Sequence, residues 1–466
     1  MHNNIVAVYQ NKNLDYCFND PFNPDKYYPE LKINKFDKTY AAVRNLFHLL
    51  KLDNKNFGTR TWNPFGKFIK PGYKVVIKPN LLYHYHPHGD SFVLVNIVHA
   101  SIIRHIIDYC LTAMKGDGEI IIAESPVRQA NFEKIIEISG INNLAAFYRD
   151  TGIKIPIMDL RKSKIVRNYD KVTFAKTVKL KGDPLGYKKI QIENSEISPL
   201  IKQKSCFRNS MTGKPREPLS YKIPKTILTS DFIVNISKMK THLMTGNTLC
   251  IKNVVGMFAE KENLPHYISG YDEHPKPKTT RHKIKLLYTK KTFKLIKTFY
   301  FAEKIKPVKS FVKRLSDGEE NLWGNWHGND TTWRMVLDLN KIIFYYDKEG
   351  NVNEKPVRTN LNIIDAILAG EGQGPMRSSP KKCGMIIAGF NPLSVDITGT
   401  RIMGFDYKKI PLIKKSHEKE IFGKPPKKII IRSNIKKWSR LFDLDKKYLL
   451  NFRPPKSWQG KIEIRD

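Results

Sequence analysis

The sequence predicts an α/β protein: a mostly parallel, doubly wound sheet with a β-rich insertion and a basic helical insertion. Two observations lead there. Between Tyr73 and Leu160, short apolar runs of strand length alternate with longer stretches of helical periodicity. The strand pattern resumes at "DFIVNISK" (231–238) and returns at "CGMIIAGF" (383–390). Strand, helix, strand, helix, strand is the order that builds parallel sheets covered on both faces.

Taken in order, "YKVVIKPNLL" (73–82) reads as a buried strand stopped by Pro79. "SFVLVNIVHASIIRHIIDYCLTAM" (91–114) reads as a helix with Ser91 as its N-cap. "GDGEIIIAESP" gives a turn and a second strand, "NFEKIIEISGINNLAAFYRDTG" is mostly helical, and "IKIPIMDL" is a third strand. Residues 161–225 carry β-rich segments around Gly-Asp and Gly-Tyr turns and read as a hairpin-containing insertion. In "CGMIIAGFNPLSVDITGTRIMGFD" (383–406), a strand runs to Ala388 and a helix opens near Pro392. This divides the chain into an N-terminal segment (1–70), a first core part (71–265), a basic and Trp-rich insertion (266–335), a closing core part (336–425) and a basic C-terminal segment (426–466).

With 466 residues, 41% of them hydrophobic, the chain can bury a sizeable core. Lys and Arg number 81 against 44 Asp and Glu, a net charge of +37. Such a surplus favours anionic partners: a phosphorylated or carboxylated substrate, an acidic membrane surface or nucleic acid. Residues 276–315 concentrate it, with fourteen Lys or Arg and one acid, Glu303. Their apolar residues recur at near-helical spacing, the type of an interfacial helix. The five cysteines are scattered without a C-x-x-C pair, which argues against a disulfide framework, a zinc ribbon or an iron–sulfur cluster and for a reducing, cytoplasmic setting. The N-terminus lacks a signal-peptide apolar core, and no run of about 18 apolar residues occurs.

In open α/β sheets, ligands gather beyond the carboxyl ends of the strands. Four polar clusters fall there on these assignments: Lys78-Pro79-Asn80, Glu124-Ser125-Pro126, the group Lys238, Lys240 and His242, and Asn391 followed by Asp396. In "VNISKMKTHLMTGNTLCIKNVVGMF" (234–258) a strand hands over to a helix expected to start near Gly246, capped by Thr245 or Asn247. Its free N–H groups would face an anion, with Lys252 and Asn253 one to two turns in. "AGEGQGPMRSSP" (369–380) offers Gly372 and Gly374 for close approach of backbone to a ligand, or forms an ordinary tight turn. His327 and Asp330 lie in a Trp-rich polar segment suited to a substrate platform, or to pinning an insertion onto the core. Alternating histidines in "HYHPHGD" (84–90) are a weak metal motif against a solvated loop. Asp365 and Asp396 are candidate ligands for a divalent metal such as Mg²⁺, although spacing does not support one.

The blocks "VVIKPNL", "DFIVNISKMKTHLMTGNTLCIKNVVGMF", "NIIDAILAGEGQGPM" and "GFNPLSVDITGTRIMGFD" resemble the bacterial and archaeal family catalogued as domain of unknown function 362. The resemblance covers about residues 71 to 406, and Lys240-Thr241-His242 with Lys252-Asn253 to Gly256 is its most specific part. It implies no settled reaction. Some members carry a ferredoxin-like module with two four-iron clusters; the cysteine runs for it are missing here. The segment Gly324 to Asp330 resembles a subgroup associated with cell-surface polysaccharide genes.

The expected function is a cytoplasmic enzyme acting on an anionic small molecule or sugar conjugate. Lys78, Asn80, Thr245, Lys252, Asn253, Gly372, Gly374, His327 and Asp330 would bind it, and His242, Lys240 and Glu124 would serve the chemistry. The alternative is a protein docked on anionic membrane through 276–315. Nucleic-acid binding ranks third, because no known nucleic-acid motif appears.

Overall fold

The computed structural model describes residues 4–18, 38–166, 176–202, 220–268, 272 and 324–465. The basic stretch 276–315, Trp323 and Cys206 lie outside these residues. The central sheet is built from β1 (Ile5–Gln10), β2 (Tyr73–Pro79), β3 (Gly118–Glu124) and β4 (Ile157–Asp159), followed after the insertion by later strands. The insertion holds two antiparallel pairs: β5 (Ser163–Val166) with β6 (Lys176–Lys179), and β7 (Tyr187–Gln191) with β8 (Ser220–Pro224). The sheet then takes up β9 (Phe232–His242), β10 (Gly246–Thr248), β11 (Thr359–Gln373), β12 (Arg377–Gly389) and β13 (Ile430–Ser433). Its order is β13-β1-β12-β11-β9-β2-β3-β4, with β10 paired to β9.

All neighbours from β11 to β4 pair in parallel, so the α/β, mostly parallel architecture holds. The strand at 383–390 departs from it. It belongs to β12, which runs antiparallel to both β11 and β1. A short turn joins β11 to β12, and a tight hairpin can only return antiparallel. Consequently the carboxyl end of β12, with Asn391, sits at the opposite rim from the ends of β2, β3 and β9. Asn391 caps the helix Pro392–Ile402 there by accepting from Ser394 N.

Alternate residues of each strand feed two cores, as a sheet buried on both faces requires. Val75, Ile77, Ile120, Ile122, Phe232, Val234 and Ile236 meet the helices Lys38–Leu49 and Ala100–Met114 on one side. Val76, Ile121, Ala123, Ile233 and Met239 meet the helices Thr332–Tyr345 and Pro392–Ile402 on the other. Each such side chain contributes about 1.5–3 kcal/mol. β9 lies at the centre, and all eleven of its residues are buried.

The segment 91–114 is not one helix, and Ser91 caps nothing. A 3-10 helix spans Asp90–Val95, and the α-helix Ala100–Met114 starts after His99, whose ring accepts from Ser101 N. Between them, Leu81 bridges Ile97 and Val98 N donates to Asn80 O. The interruption holds the Asn96 carbonyl at the end of β9.

One charged cluster fastens the N-terminal strand region to the sheet. Lys238 Nζ lies 2.7 Å from Asp365 Oδ2, both side chains fully buried. Tyr16 OH donates to the same carboxylate at 2.9 Å, and Lys238 also contacts that hydroxyl. Asp365→Ala would leave the Lys238 ammonium buried without its carboxylate. Urea denaturation should show a loss of about 3–5 kcal/mol. Replacing Lys238 by Met together with Asp365 by Leu should recover most of it; equal losses in the single and double variants would contradict this reading.

Candidate functional site

Four sequence-distant segments meet at the carboxyl ends of β2, β3 and β9. Their side chains form one buried hydrogen-bond chain. Glu124 Oε2 pairs with Lys78 Nζ at 2.9 Å. Lys78 Nζ and Asn80 Nδ2 both donate to Asn253 Oδ1 at 2.7 Å. Asn80 Oδ1 in turn accepts from Lys240 Nζ at 2.8 Å, and Lys240 also donates to Asn96 O at 3.1 Å. Asn253 is itself oriented by donating to Asn235 Oδ1 and Ile236 O. Lys78, Asn80, Glu124, Lys240 and Asn253 are thus brought together by direct contact.

The helix expected to start at Gly246 is absent. Gly246, with φ of +79°, opens β10, which folds back on β9 so that Gly246 faces His242 and Thr248 faces Lys240. A single helical turn follows at Cys250–Asn253. Its leading N–H groups, those of Cys250 and Ile251, donate to Asp396 at 2.8 and 2.9 Å, so a protein carboxylate already occupies the helix start. Burial pushes the Asp396 carboxyl up to about 7. Thr245 donates to the Asn247 carbonyl and Asn247 to Thr400 Oγ1; neither caps this helix, and Thr245 does not line the crevice.

What these elements enclose is a crevice of about 450 Å³. Among the described residues, five cationic side chains line it, Lys78, Arg128, Lys240, Lys252 and Lys261, against one carboxylate, Glu124. Leu82, Val127, Leu243, Met244 and Met376 supply an apolar part. Glu124 has little left to offer a ligand, since it also accepts from Leu81 N and Ser125 N. The lysines are crowded and dry. Burial, reinforced by the ammoniums of Lys238, Lys78 and Lys252, drives Lys240 well below the ordinary lysine value. Burial and Lys78 bring Lys252 down to about 8, and burial brings Lys261 to about 7.

Two histidines face the same space with opposite polarity. His242 Nδ1 accepts from Met244 N at 3.0 Å, so the neutral ring carries its proton on Nε2. Burial, with Lys252 and His266 adding to it, keeps that ring neutral. His266 Nδ1 lies 2.9 Å from the Leu264 carbonyl, so its proton sits on Nδ1 and Nε2 is an acceptor. Burial and Lys252 lower His266 to about 4. Two buried hydroxyls among the lining residues, Ser125 Oγ and Thr248 Oγ1, have no hydrogen-bond partner among the described residues.

Other expected residues lie elsewhere. Lys238 is spent on Asp365. Gly372 and Gly374 pack against β9, with Thr241 Oγ1 donating to Gly372 O and Leu243 N to Gly374 O, so their close approach serves the protein and not a ligand. His327 contacts the Ser457 carbonyl, and Asp330 pairs with Arg334 at 3.1 Å and accepts from Trp333 Nε1. With Trp326 donating to the Asp272 carbonyl, these residues bond to one another and to the C-terminal segment; neither His327 nor Asp330 lines the crevice. As metal candidates, Asp365 and Asp396 both spend their oxygens on protein donors, in separate places. His84 and His86 likewise bind Asn131 N and the Ser378 carbonyl. Lys261, His266 and Arg128 escaped the sequence reading. The polar loop "AEKENLPH" (259–266), coming directly after the apolar helical turn, was the available signal for the first two.

The sequence profile of the domain of unknown function (DUF362) matches residues 75–190 and 192–401. The chain belongs to this family. No functionally curated protein matches it. Among solved structures, a Thermotoga maritima protein from the Northeast Structural Genomics Consortium is similar at 12% identity, over 76% of this chain and 56% of its own length, with a TM-score of 0.31. That score is too low to define a common fold.

Gly256 forms part of the crevice wall. A Cβ there would stand 2.0 Å from Glu124 Oε1 and 2.5 Å from Lys78 Nζ. Gly256→Ala should therefore push the Lys78–Glu124 pair apart, costing about 1–3 kcal/mol in urea denaturation. A change within about 0.5 kcal/mol would show that the pair is not held as described.

Proposed function

We propose that the protein is an enzyme whose crevice binds a small molecule or sugar conjugate through a phosphate or carboxylate group. The observation that carries this reading is the imbalance, among the described residues, of five buried or half-buried cations against one committed carboxylate. Uncompensated buried charge is costly, and the lysines respond by shedding protons. An arriving anion would supply the missing counter-charge. His242 Nε2–H and the two unpartnered hydroxyls would supply neutral donors to it. The volume suits a small molecule, and the apolar lining suits its uncharged part. For proton transfer the crevice offers His242 as a donor and His266 Nε2 as an acceptor.

Sulfate, which does not titrate near neutrality, is a suitable first probe, followed by sugar phosphates and 2-oxo acids. Thermal denaturation should shift upward with sulfate, and Lys240→Met or His242→Ala should weaken binding about tenfold or more. Anion binding that both variants leave unchanged would contradict the proposal.

A pH dependence follows from the lysines. In the empty crevice Lys252 titrates at about 8 and Lys261 at about 7. A bound dianion favours the ammonium forms and raises both values. Sulfate affinity should thus be level below about pH 6 and fall as pH rises through 7 to 9, with proton uptake on binding. Calorimetry in two buffers of different ionisation enthalpy measures that uptake. An affinity constant across this range would be inconsistent with buried lysines as the anion's partners.

A further inference from the structure

The crevice lysines are not equivalent. Lys78 is tied to Glu124 and Asn253, Lys240 to Asn80 and the Asn96 carbonyl, and Lys261 donates to the Val255 carbonyl at 2.5 Å. Lys252 has no hydrogen bond or ion pair among the described residues. Its side chain rises from the helical turn Cys250–Asn253, is 92% shielded from solvent, and lines the crevice. An amine in this setting can turn toward a substrate without breaking a bond. Desolvation and neighbouring cations are what activate a lysine as a nucleophile.

Building on the anion-binding reading, we propose that Lys252 is a catalytic amine that forms an imine with the carbonyl carbon of an aldehyde or ketone bearing a carboxylate or phosphate. In the first step the neutral Nζ attacks the carbonyl carbon, the C=O π pair moves to oxygen, and a proton passes from nitrogen to that oxygen. In the second, the carbinolamine hydroxyl takes a proton and leaves as water, giving the protonated imine. The net change is ammonium plus carbonyl to iminium plus water, with no oxidant or reductant. The His242 Nε2–H stands in the same crevice as a hydrogen-bond donor to the departing oxygen. With Lys252 at about 8, its neutral fraction at pH 7 exceeds that of an ordinary lysine by about two powers of ten.

Glyoxylate, a small aldehyde carrying a carboxylate, is the probe. The full chain is incubated with it, reduced with borohydride, digested and read by peptide mass spectrometry. Carboxymethylation at Lys252 should exceed that at exposed lysines such as Lys115 by at least about tenfold at pH 7, rise through pH 8, and be suppressed by sulfate. Lys252→Arg, which keeps a cation, should remove the label, whereas Lys115→Arg, at an exposed position outside the crevice, should retain it. Sulfate binding measured alongside separates the two claims. If sulfate binds and Lys252 labels no faster than exposed lysines, the imine proposal falls and the anion site stands. If neither occurs, both fall.

Discussion

The structure turns on one unfavourable placement: ammonium groups carried into the interior on β2 and β9. Lysine is seldom fully buried, because removing its charge from water costs several kcal/mol. Here Lys78, Lys238 and Lys240 are all at 1% exposure or less. Two solutions to the same problem stand side by side. Lys238 takes a carboxylate of its own, Asp365. Lys78 and Lys240 share one, Glu124, through an amide relay of Asn253 and Asn80. The first leaves nothing unsatisfied. The second leaves a cluster with more positive charge than the protein neutralises, and that cluster opens into a crevice.

Much of the surrounding architecture follows from holding this relay in place. The break between the 3-10 helix and the helix Ala100–Met114 presents the Asn96 carbonyl to Lys240. Asp396 secures the turn that carries Lys252 and Asn253. Arg161, buried and paired with Asp159 at 2.6 Å, donates to the Val127 and Ala130 carbonyls and so steadies the loop walling the crevice. Among the described residues no helix is long and apolar enough to cross a membrane.

The sequence was most informative where topology decides position. Lys78, Glu124, Lys240 and His242 each end a parallel strand, so their meeting could be inferred without knowing any side-chain path. It was least informative where a local signal had two outcomes. Thr245-Gly246-Asn247 reads equally as a helix cap and as a hairpin turn, and pairing with β9 decided for the turn. Asp396 read as a strand-end polar group and metal candidate because its partners, two backbone N–H groups, leave no trace in residue identity. The reversal of β12 lies in the glycine-rich stretch 369–380, which reads equally as a loop approaching a ligand and as a tight turn. Lys261 and His266 come from a loop with neither periodicity nor motif, and only the fold shows that it returns over the crevice.

Crystals soaked in sulfate would test the central claim most directly. The account predicts an ordered anion within hydrogen-bonding distance of His242 Nε2 and a crevice lysine, drawing on Ser125 or Thr248 as well. A crevice holding only water, while sulfate settles on exposed lysines, would contradict it.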